Sequence, residues 1–179
     1  LSIAHAGYLL VALLSANDVG KGAVLFYLLA YAVTNLGAFG VIAVLESAEG
    51  ANDHVRDYAG LWDAHPALAA LMTLFLLSLG GFPPLAGFIA KWYVFSAAVK
   101  AGYTGLAIIG VLTSVVSVFF YLRIVVMMYM TPADSPPRLP SVPKAAGLAL
   151  VVSAILVFYL GILPTRVLDW AAASISTIF

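Results

Sequence analysis

Cysteine is missing from this sequence, and charged residues are scarce, at 9% of the chain. Without cysteine the chain forms no disulfide and no thiolate-ligated metal cluster, so any electron carrier must lie on another chain. The eight basic residues balance the eight acidic ones. This balance leaves no basic surface for a nucleic acid and no charge excess for a peripheral membrane binder. Both of those function classes are therefore excluded.

Sequence motifs for catalysis on a soluble substrate are also missing. The chain has no glycine-rich phosphate loop, no dinucleotide fingerprint and no hydrolase constellation. The pair Gly80-Gly81 lacks the strand and the Lys-Ser context of a nucleotide site. We therefore expect neither a cofactor nor a metal ion on this chain.

Hydrophobic residues dominate what is present. They make up 64% of the 179 residues, and the mean hydropathy is +1.08. Soluble domains carry a charge on about a quarter of their residues, so this composition predicts an all-α, polytopic transmembrane protein. At about 20 apolar residues per span, the length allows about five helices. The predicted spans are residues 1–14, 23–45, 66–99, 105–130 and 145–163, followed by a C-terminal tail at 164–179.

The connectors between these spans carry most of the charge and the turn residues. The stretch 46–65 is acidic, and residues 131–143 contain five prolines, which favour an extended linker. Lys and Arg are shared almost equally between the two sides, so the positive-inside rule does not fix the orientation. The first span has neither an initiator Met nor a basic flank, so a signal peptide fits poorly. We expect further helices to precede it in the parent protein.

The third span is too long to be one straight helix. Residues 66–99 would measure about 50 Å at helical rise, against a hydrocarbon core of about 30 Å. Gly80, Gly81, Pro83 and Pro84 lie in its middle, where they add two flexible residues and remove two amide donors. Irregular backbone at this depth is tolerated only where protein or water satisfies the freed carbonyls. The sequence therefore predicts a discontinuous helix, which many transporters use at their ion sites.

Lys91 lies in the second half of the broken span, on the order of 13 Å from the nearer interface. An ammonium at this depth is costly unless it is hydrated, paired or neutralised. A lysine in such surroundings is suited to load and release a proton, so we predict that Lys91 transfers protons. The alternative is a lysine that reaches the headgroups or forms a fixed ion pair.

His5 shares one helical face with Ser2 and Tyr8, so three hydrogen-bonding groups follow one another along the first span. Such a face suits a water chain, in which His5 is a possible proton relay. The alternative is a histidine that only joins two helices by a hydrogen bond.

Hydroxyl and amide side chains on the second and fourth spans give a weaker signal. Tyr31 and Asn35 are the two that we predict to line a hydrated path. Small and hydroxyl side chains commonly join membrane helices, so packing is the interpretation for the rest. These are Tyr27, Thr34, Thr113, Ser114, Ser117 and Tyr121.

Four stretches of the sequence resemble a known family. They are SIAHAGY at 2–8, YLLAYAVTNLGAFGV at 27–41, DYAGLW at 57–62 and SLGGFPPLAGFIAKWYVF at 78–95. Together they are similar to the antiporter-like membrane subunits of the proton-pumping NADH:quinone oxidoreductase, respiratory complex I. The resemblance covers nearly the whole chain and is weakest after residue 131. It indicates one branch of the family, because one sister branch has an acid at the position of Lys91 and another has an acid at that of Trp92.

The resemblance implies a fold of fourteen helices with two inverted five-helix repeats, of which this chain would hold the last five helices. Lys91 matches the lysine of the family's broken twelfth helix, the proposed terminal proton-transfer group, and His5 falls among the polar residues of the central hydrated axis. The family's glutamate on the fifth helix and its lysines on the seventh and eighth have no counterpart here. The chain is therefore not expected to hold the complete proton route.

The same resemblance implies where the cofactors and partners lie. NADH, FMN, the iron-sulfur clusters and quinone would bind to other subunits, and this chain would be an enzyme subunit without a redox centre. Its partners would be the other membrane-arm subunits and the lipid bilayer, in the inner membrane of a bacterial cell. Two alternatives stay open: a subunit of a cation/proton antiporter or membrane-bound hydrogenase, and a membrane scaffold that transports nothing.

Overall fold

The computed structural model describes residues 2–49, 54–132 and 142–178. Within these ranges the chain is helical and contains no strand. The helices are α1 (Ser2–Ser15), α2 (Asp18–Glu49), α3 (Leu61–Ala64), α4 (Pro66–Gly80), α5 (Ala86–Lys100), α6 (Thr104–Met130), α7 (Lys144–Ile162) and α8 (Thr165–Ile178), with a 3-10 turn at Val55–Tyr58.

Three of the described helices, α2, α6 and α7, are long and apolar enough to cross a membrane, and the apolar helices α1 and α4 are shorter. Helices α6 and α7 turn large apolar side chains outward, and Val115, Phe119 and Ile155 are each more than 60% exposed. So much contiguous apolar surface is compatible with lipid rather than with water. The predicted all-α, polytopic membrane fold is confirmed.

The predicted break in the third span is also confirmed. Helix α4 ends at Gly80 and α5 begins at Ala86. Gly81 closes α4 with a φ of 89°, in the left-handed region that glycine occupies without a Cβ clash. The amide of Phe82 then donates to the carbonyl of Leu77, at 3.0 Å. This is the hydrogen bond that commonly ends a helix at a left-handed glycine.

Close backbone contacts hold the two halves of the broken helix in place. A Cβ at Gly87 would overlap the carbonyl of Ser78, so the start of α5 lies directly against α4. A Cβ at Gly161 would overlap the carbonyl of Pro84, so α7 lies directly against the break. Helix α5 also contacts α1, α2 and α6. The half-helix that carries Lys91 therefore has other helices on several sides, while Trp92 on its outer face is 62% exposed.

Two connecting segments contain more helix than the sequence predicted. Residues 164–179, interpreted as a tail, contain α8, which contacts α2. The acidic stretch 46–65, interpreted as a connector, contains the end of α2, the 3-10 turn and α3. Most of the proline-rich linker, residues 133–141, lies outside the described residues.

Candidate functional site

Lys91 lies in the second turn of α5 and is 6% exposed. Its Nζ donates hydrogen bonds to the carbonyls of Leu79 at 3.0 Å and Gly80 at 2.9 Å, and to Ser114 Oγ at 2.7 Å. The two carbonyls belong to the last turn of α4, where the helix provides no further amide partners. This end also carries the negative pole of the helix dipole, which favours a cation. The break in the third span therefore creates the oxygen site that receives the lysine.

The surroundings of Lys91 are uncharged. Its three hydrogen-bond partners are two carbonyls and one hydroxyl, so no described carboxylate pairs with it. The ammonium also lies 5.3 Å from the ring centroid of Tyr8, a distance suited to a cation–π contact. At Gly81, a Cβ would come within 3.0 Å of Lys91 Cδ, so the stem of the lysine passes tightly over the break.

His5 is 4% exposed and joins α1 to two other helices. Its Nδ1 lies 2.7 Å from the hydroxyl of Tyr27, and its Nε2 lies 3.0 Å from the hydroxyl of Tyr121. The ring of Tyr31 stacks on the imidazole at a centroid distance of 4.7 Å. Which ring nitrogen donates depends on the tautomer. An imidazole with a hydroxyl at each nitrogen can accept a proton at one and release it at the other.

A small cavity of about 10 Å³ connects the two ionisable residues, because both His5 and Lys91 line it. This size is at the lower limit for one water molecule. Thr34 and Ser78 also line the cavity, and their hydroxyl oxygens lie 3.3 Å apart. The wall between histidine and lysine therefore offers hydroxyl partners to a bridging water.

The residues singled out in the sequence fall into two groups. Lys91, His5, Tyr8 and Tyr31 lie together. Asn35 is half-buried and Ser2 is exposed, and neither lines the cavity. The roles of all these residues in proton transfer stay predictions.

Several side chains interpreted as packing contacts turn out to touch the two ionisable residues. Ser114 binds Lys91, and Tyr27 and Tyr121 bind His5. Ser78, which the sequence did not single out, lines the cavity and accepts a hydrogen bond from the amide of Gly87 at 3.2 Å. A spacing of seven residues places Ser114 and Tyr121 on one face of α6, and this spacing was the available signal.

The chemistry that these side chains support is proton exchange. One amine, one imidazole, phenols and aliphatic hydroxyls meet at the broken helix. In the part of the chain that the structure describes, no group of three or more His, Asp or Glu residues is placed to hold a metal ion. The arrangement is a buried, hydrogen-bonded cluster in which a proton can move between nitrogen and oxygen atoms.

Comparison with known proteins agrees with the interpretation of this cluster as part of a membrane protein that exchanges protons. Residues 2–117 match the family described as NADH:quinone oxidoreductase/Mrp antiporter, transmembrane. NADH-quinone oxidoreductase subunit N of Trichlorobacter lovleyi is 48% identical over 177 residues, which cover 99% of this chain and 36% of that protein. The residues at Lys91 and Trp92 indicated one branch of the family, and this relative, a subunit N, belongs to that branch.

Solved structures share the fold. A chain in the structure of respiratory complex I from Thermus thermophilus with bound aureothin is 36% identical, with a TM-score of 0.80, over 94% of this chain and 38% of that chain. A chain of the Mrp complex from Dietzia sp. has a TM-score of 0.83 at 19% identity, over 94% of this chain and 39% of that chain, and shows a common fold alone. This chain therefore spans little more than a third of the length of these relatives.

Proposed function

Because the chain belongs to the NADH:quinone oxidoreductase/Mrp antiporter family of membrane proteins, we propose that it serves in a proton-translocating membrane subunit of an NADH:quinone oxidoreductase. The subunit couples quinone reduction to proton movement across the membrane. Lys91 is the proton-transfer group, and His5 exchanges protons with it through the cavity that both line. The chain spans 36% of the Trichlorobacter lovleyi subunit, so we assign to it one segment of the route.

One observation carries this proposal: the partners of Lys91 satisfy both of its protonation states. The carbonyls of Leu79 and Gly80 accept an N–H bond from either the ammonium or the amine. Ser114 accepts the third N–H of the ammonium, or turns its hydroxyl and donates to the lone pair of the amine. A carboxylate in the place of Ser114 would favour the charged form alone. With a hydroxyl there, the proton can leave without stranding a buried polar group.

The proton step follows from these contacts. One N–H of the ammonium turns from its acceptor to a water in the cavity. That water gives a proton to the hydroxyl of Tyr27, which lines the cavity and passes its own proton to Nδ1 of His5. Lys91 becomes a neutral amine and the imidazole becomes a cation, whose proton on the other nitrogen faces a tyrosine hydroxyl. The reverse sequence reloads the lysine.

Cofactors and partners belong to the same proposal. We assign NADH, FMN, the iron-sulfur clusters and quinone to other subunits of the complex, and the other membrane-arm subunits to the partners of this chain. The missing cysteines support this assignment, because iron-sulfur clusters are held mainly by cysteine thiolates. We assign the protein to the inner membrane of a bacterial cell, as an enzyme subunit without substrate chemistry on this chain.

An NADH:quinone oxidoreductase is favoured over a cation/proton antiporter by the degree of similarity. The relative named subunit N is 48% identical, whereas the chain of the Mrp complex is 19% identical. We expect proton pumping to depend on NADH oxidation and to be unaffected by an imposed sodium gradient. Pumping that requires sodium exchange would favour the antiporter.

The decisive experiment replaces Lys91 by Met in the full-length protein. In the assembled complex we expect proton pumping in membrane vesicles to fall about tenfold or more, which corresponds to about 1.4 kcal/mol or more of barrier. The measurement is pumped protons per NADH oxidised, after assembly has been verified. Lys100→Met is the matched control, because Lys100 ends the same helix and is exposed. An assembled Lys91→Met complex with normal pumping would indicate a scaffold instead.

A further inference from the structure

Helix α6 presents a second set of hydroxyl groups to the site, apart from the cavity. Ser114, Ser117 and Tyr121 are buried, although most of the helix is exposed to its surroundings. Their spacings of three and four residues place them on one face. These three residues therefore form a strip of hydroxyls along α6, which we call the α6 hydroxyl strip.

The two ends of the α6 hydroxyl strip touch the two ionisable groups. At one end, Ser114 Oγ lies 2.7 Å from Lys91 Nζ. At the other end, the hydroxyl of Tyr121 lies 3.0 Å from His5 Nε2. Packing alone would not require hydroxyl groups at both of these positions. The strip thus connects Lys91 to His5 by a route different from that through the cavity.

Tyr8 lies beside the middle of the strip. Its side chain is 3% exposed, and its hydroxyl is next to those of Ser117 and Ser114. With the described residues, however, this hydroxyl makes no hydrogen bond of acceptable geometry. An unpaired buried hydroxyl costs about 1–3 kcal/mol. A group kept at such a cost calls for an explanation, and a role in proton transfer is one such explanation.

We propose that the Tyr8 hydroxyl is a movable link that completes a second proton path from Lys91 to His5 along the α6 hydroxyl strip. This inference rests on the proposed function and deepens it. When the hydroxyl of Tyr8 turns towards its serine neighbours, the strip becomes continuous at its middle. When it bonds to neither serine, the strip is interrupted at its middle and the proton on Lys91 is held.

The transfer along this path balances at every atom. The ammonium gives a proton to Ser114 Oγ, and Ser114 releases its own proton to the oxygen of Tyr8. Tyr8 passes its proton to Ser117, whose hydroxyl turns from the carbonyl of Thr113, 3.0 Å away. One bridging water then carries the proton across one helical turn to Tyr121. Tyr121 gives its proton to His5 Nε2. Lys91 ends as an amine, His5 as an imidazolium, and each hydroxyl keeps one proton.

Tyr8→Phe tests the link, because it removes the hydroxyl and keeps the ring over Lys91. In the assembled complex we expect NADH-driven pumping to fall about three- to tenfold. Ser117→Ala should have a similar effect, and the double variant should be no worse than either single one, since both block one path. Tyr93→Phe, the same change at a half-buried tyrosine of α5, is the control and should pump normally.

Two outcomes would overturn the inference and are separable from the proposed function. If Tyr8→Phe and Ser117→Ala pump like Tyr93→Phe while Lys91→Met is defective, the lysine works without this path. Thr34→Val, which removes a hydroxyl from the cavity wall, should then be the defective variant. If Lys91→Met itself pumps normally, the proposed function fails, and the path fails with it.

Discussion

At the scale of single residues, Ser114 has a role that no other described partner of Lys91 can take. The carbonyls of Leu79 and Gly80 only accept hydrogen bonds, whereas a serine hydroxyl also donates. Ser114 therefore sets whether the neutral amine is satisfied in its buried position. Its influence acts on proton release rather than on the position of the backbone.

Replacing Ser114 should therefore slow proton release. We expect Ser114→Ala to lower the rate of pumping roughly tenfold, because the amine lone pair then stays unpaired at a cost of about 1–3 kcal/mol. Ser114→Thr keeps the hydroxyl and should restore most of the rate. Pumping rates in vesicles would measure this, with Ser153→Ala, a buried serine of α7, as the control. Equal rates for Ser114→Ala and Ser153→Ala would contradict the role.

Gly81 allows a second test at the scale of single residues. Gly81 and Gly102 both have a positive φ, at 89° and 85°, so an alanine at either position costs about 1–2 kcal/mol of stability. Only at Gly81 would the new Cβ meet the lysine stem, at 3.0 Å from Cδ, whereas nothing lies within 4 Å at Gly102. We expect similar losses of thermal stability in the two variants. Pumping should fall only in Gly81→Ala, and parallel losses in both would exclude a specific effect on Lys91.

The sequence predicted some residues of the site and missed others for a physical reason. Lys91 and His5 stood out because ionisable side chains are costly among apolar residues. Ser114 and Tyr121 did not, because hydroxyl side chains are common in membrane helices and are tolerated at most positions. Their importance depends on Lys91 and His5 on other helices, and this proximity arises only in the folded chain.

At the scale of elements, the break in the third span makes the lysine site possible. Leu79 and Lys91 are twelve residues apart, which in a continuous helix would separate them by about 18 Å along the axis. A lysine side chain is too short to cover that distance. Because the helix is interrupted between Gly80 and Ala86, α5 starts close to the end of α4, and Nζ reaches the last carbonyls of α4.

The close approach of α7 to the break gives a test at this scale. Gly161→Ala would push a Cβ into the carbonyl of Pro84, so we expect a loss of about 1–3 kcal/mol in stability. Gly147→Ala lies in the same helix, and its new Cβ would meet only Val142 Cγ1 at 3.8 Å. That variant should be neutral or stabilising by up to about 1 kcal/mol. Thermal unfolding in detergent measures both, and a Gly161→Ala protein as stable as Gly147→Ala would contradict the packing.

Elements were predictable from sequence to different degrees. Long apolar runs and the Gly-Gly-Phe-Pro-Pro stretch are local signals, so the spans and the break could be derived directly. Helix α8 lies in the segment interpreted as a tail, and Arg166 and Asp169 interrupt its apolar residues. A short helix with one polar face does not stand out by hydropathy alone.

At the scale of the whole molecule, polarity is concentrated at one place. Among the described residues, Lys91 is the only buried Lys, Arg, Asp or Glu, while α6 and α7 expose apolar side chains. Composition predicts this general arrangement, because charge must leave the lipid face or be satisfied inside. It does not predict that α5 contacts α1, α2, α6 and α7, since all-round apolar helices do not specify their neighbours.

The use of main-chain carbonyls as acceptors for Lys91 affects how the site tolerates genetic change. Two of its three acceptors belong to the backbone of Leu79 and Gly80, and no side-chain substitution deletes a carbonyl. A saturation survey should therefore find position 79 permissive for apolar residues of similar size. Intolerance should concentrate at Gly81, Pro83 and Pro84, which direct those carbonyls without touching the proton. The site thus depends on the shape of the backbone, and much of its sensitivity to mutation lies in residues that carry no charge.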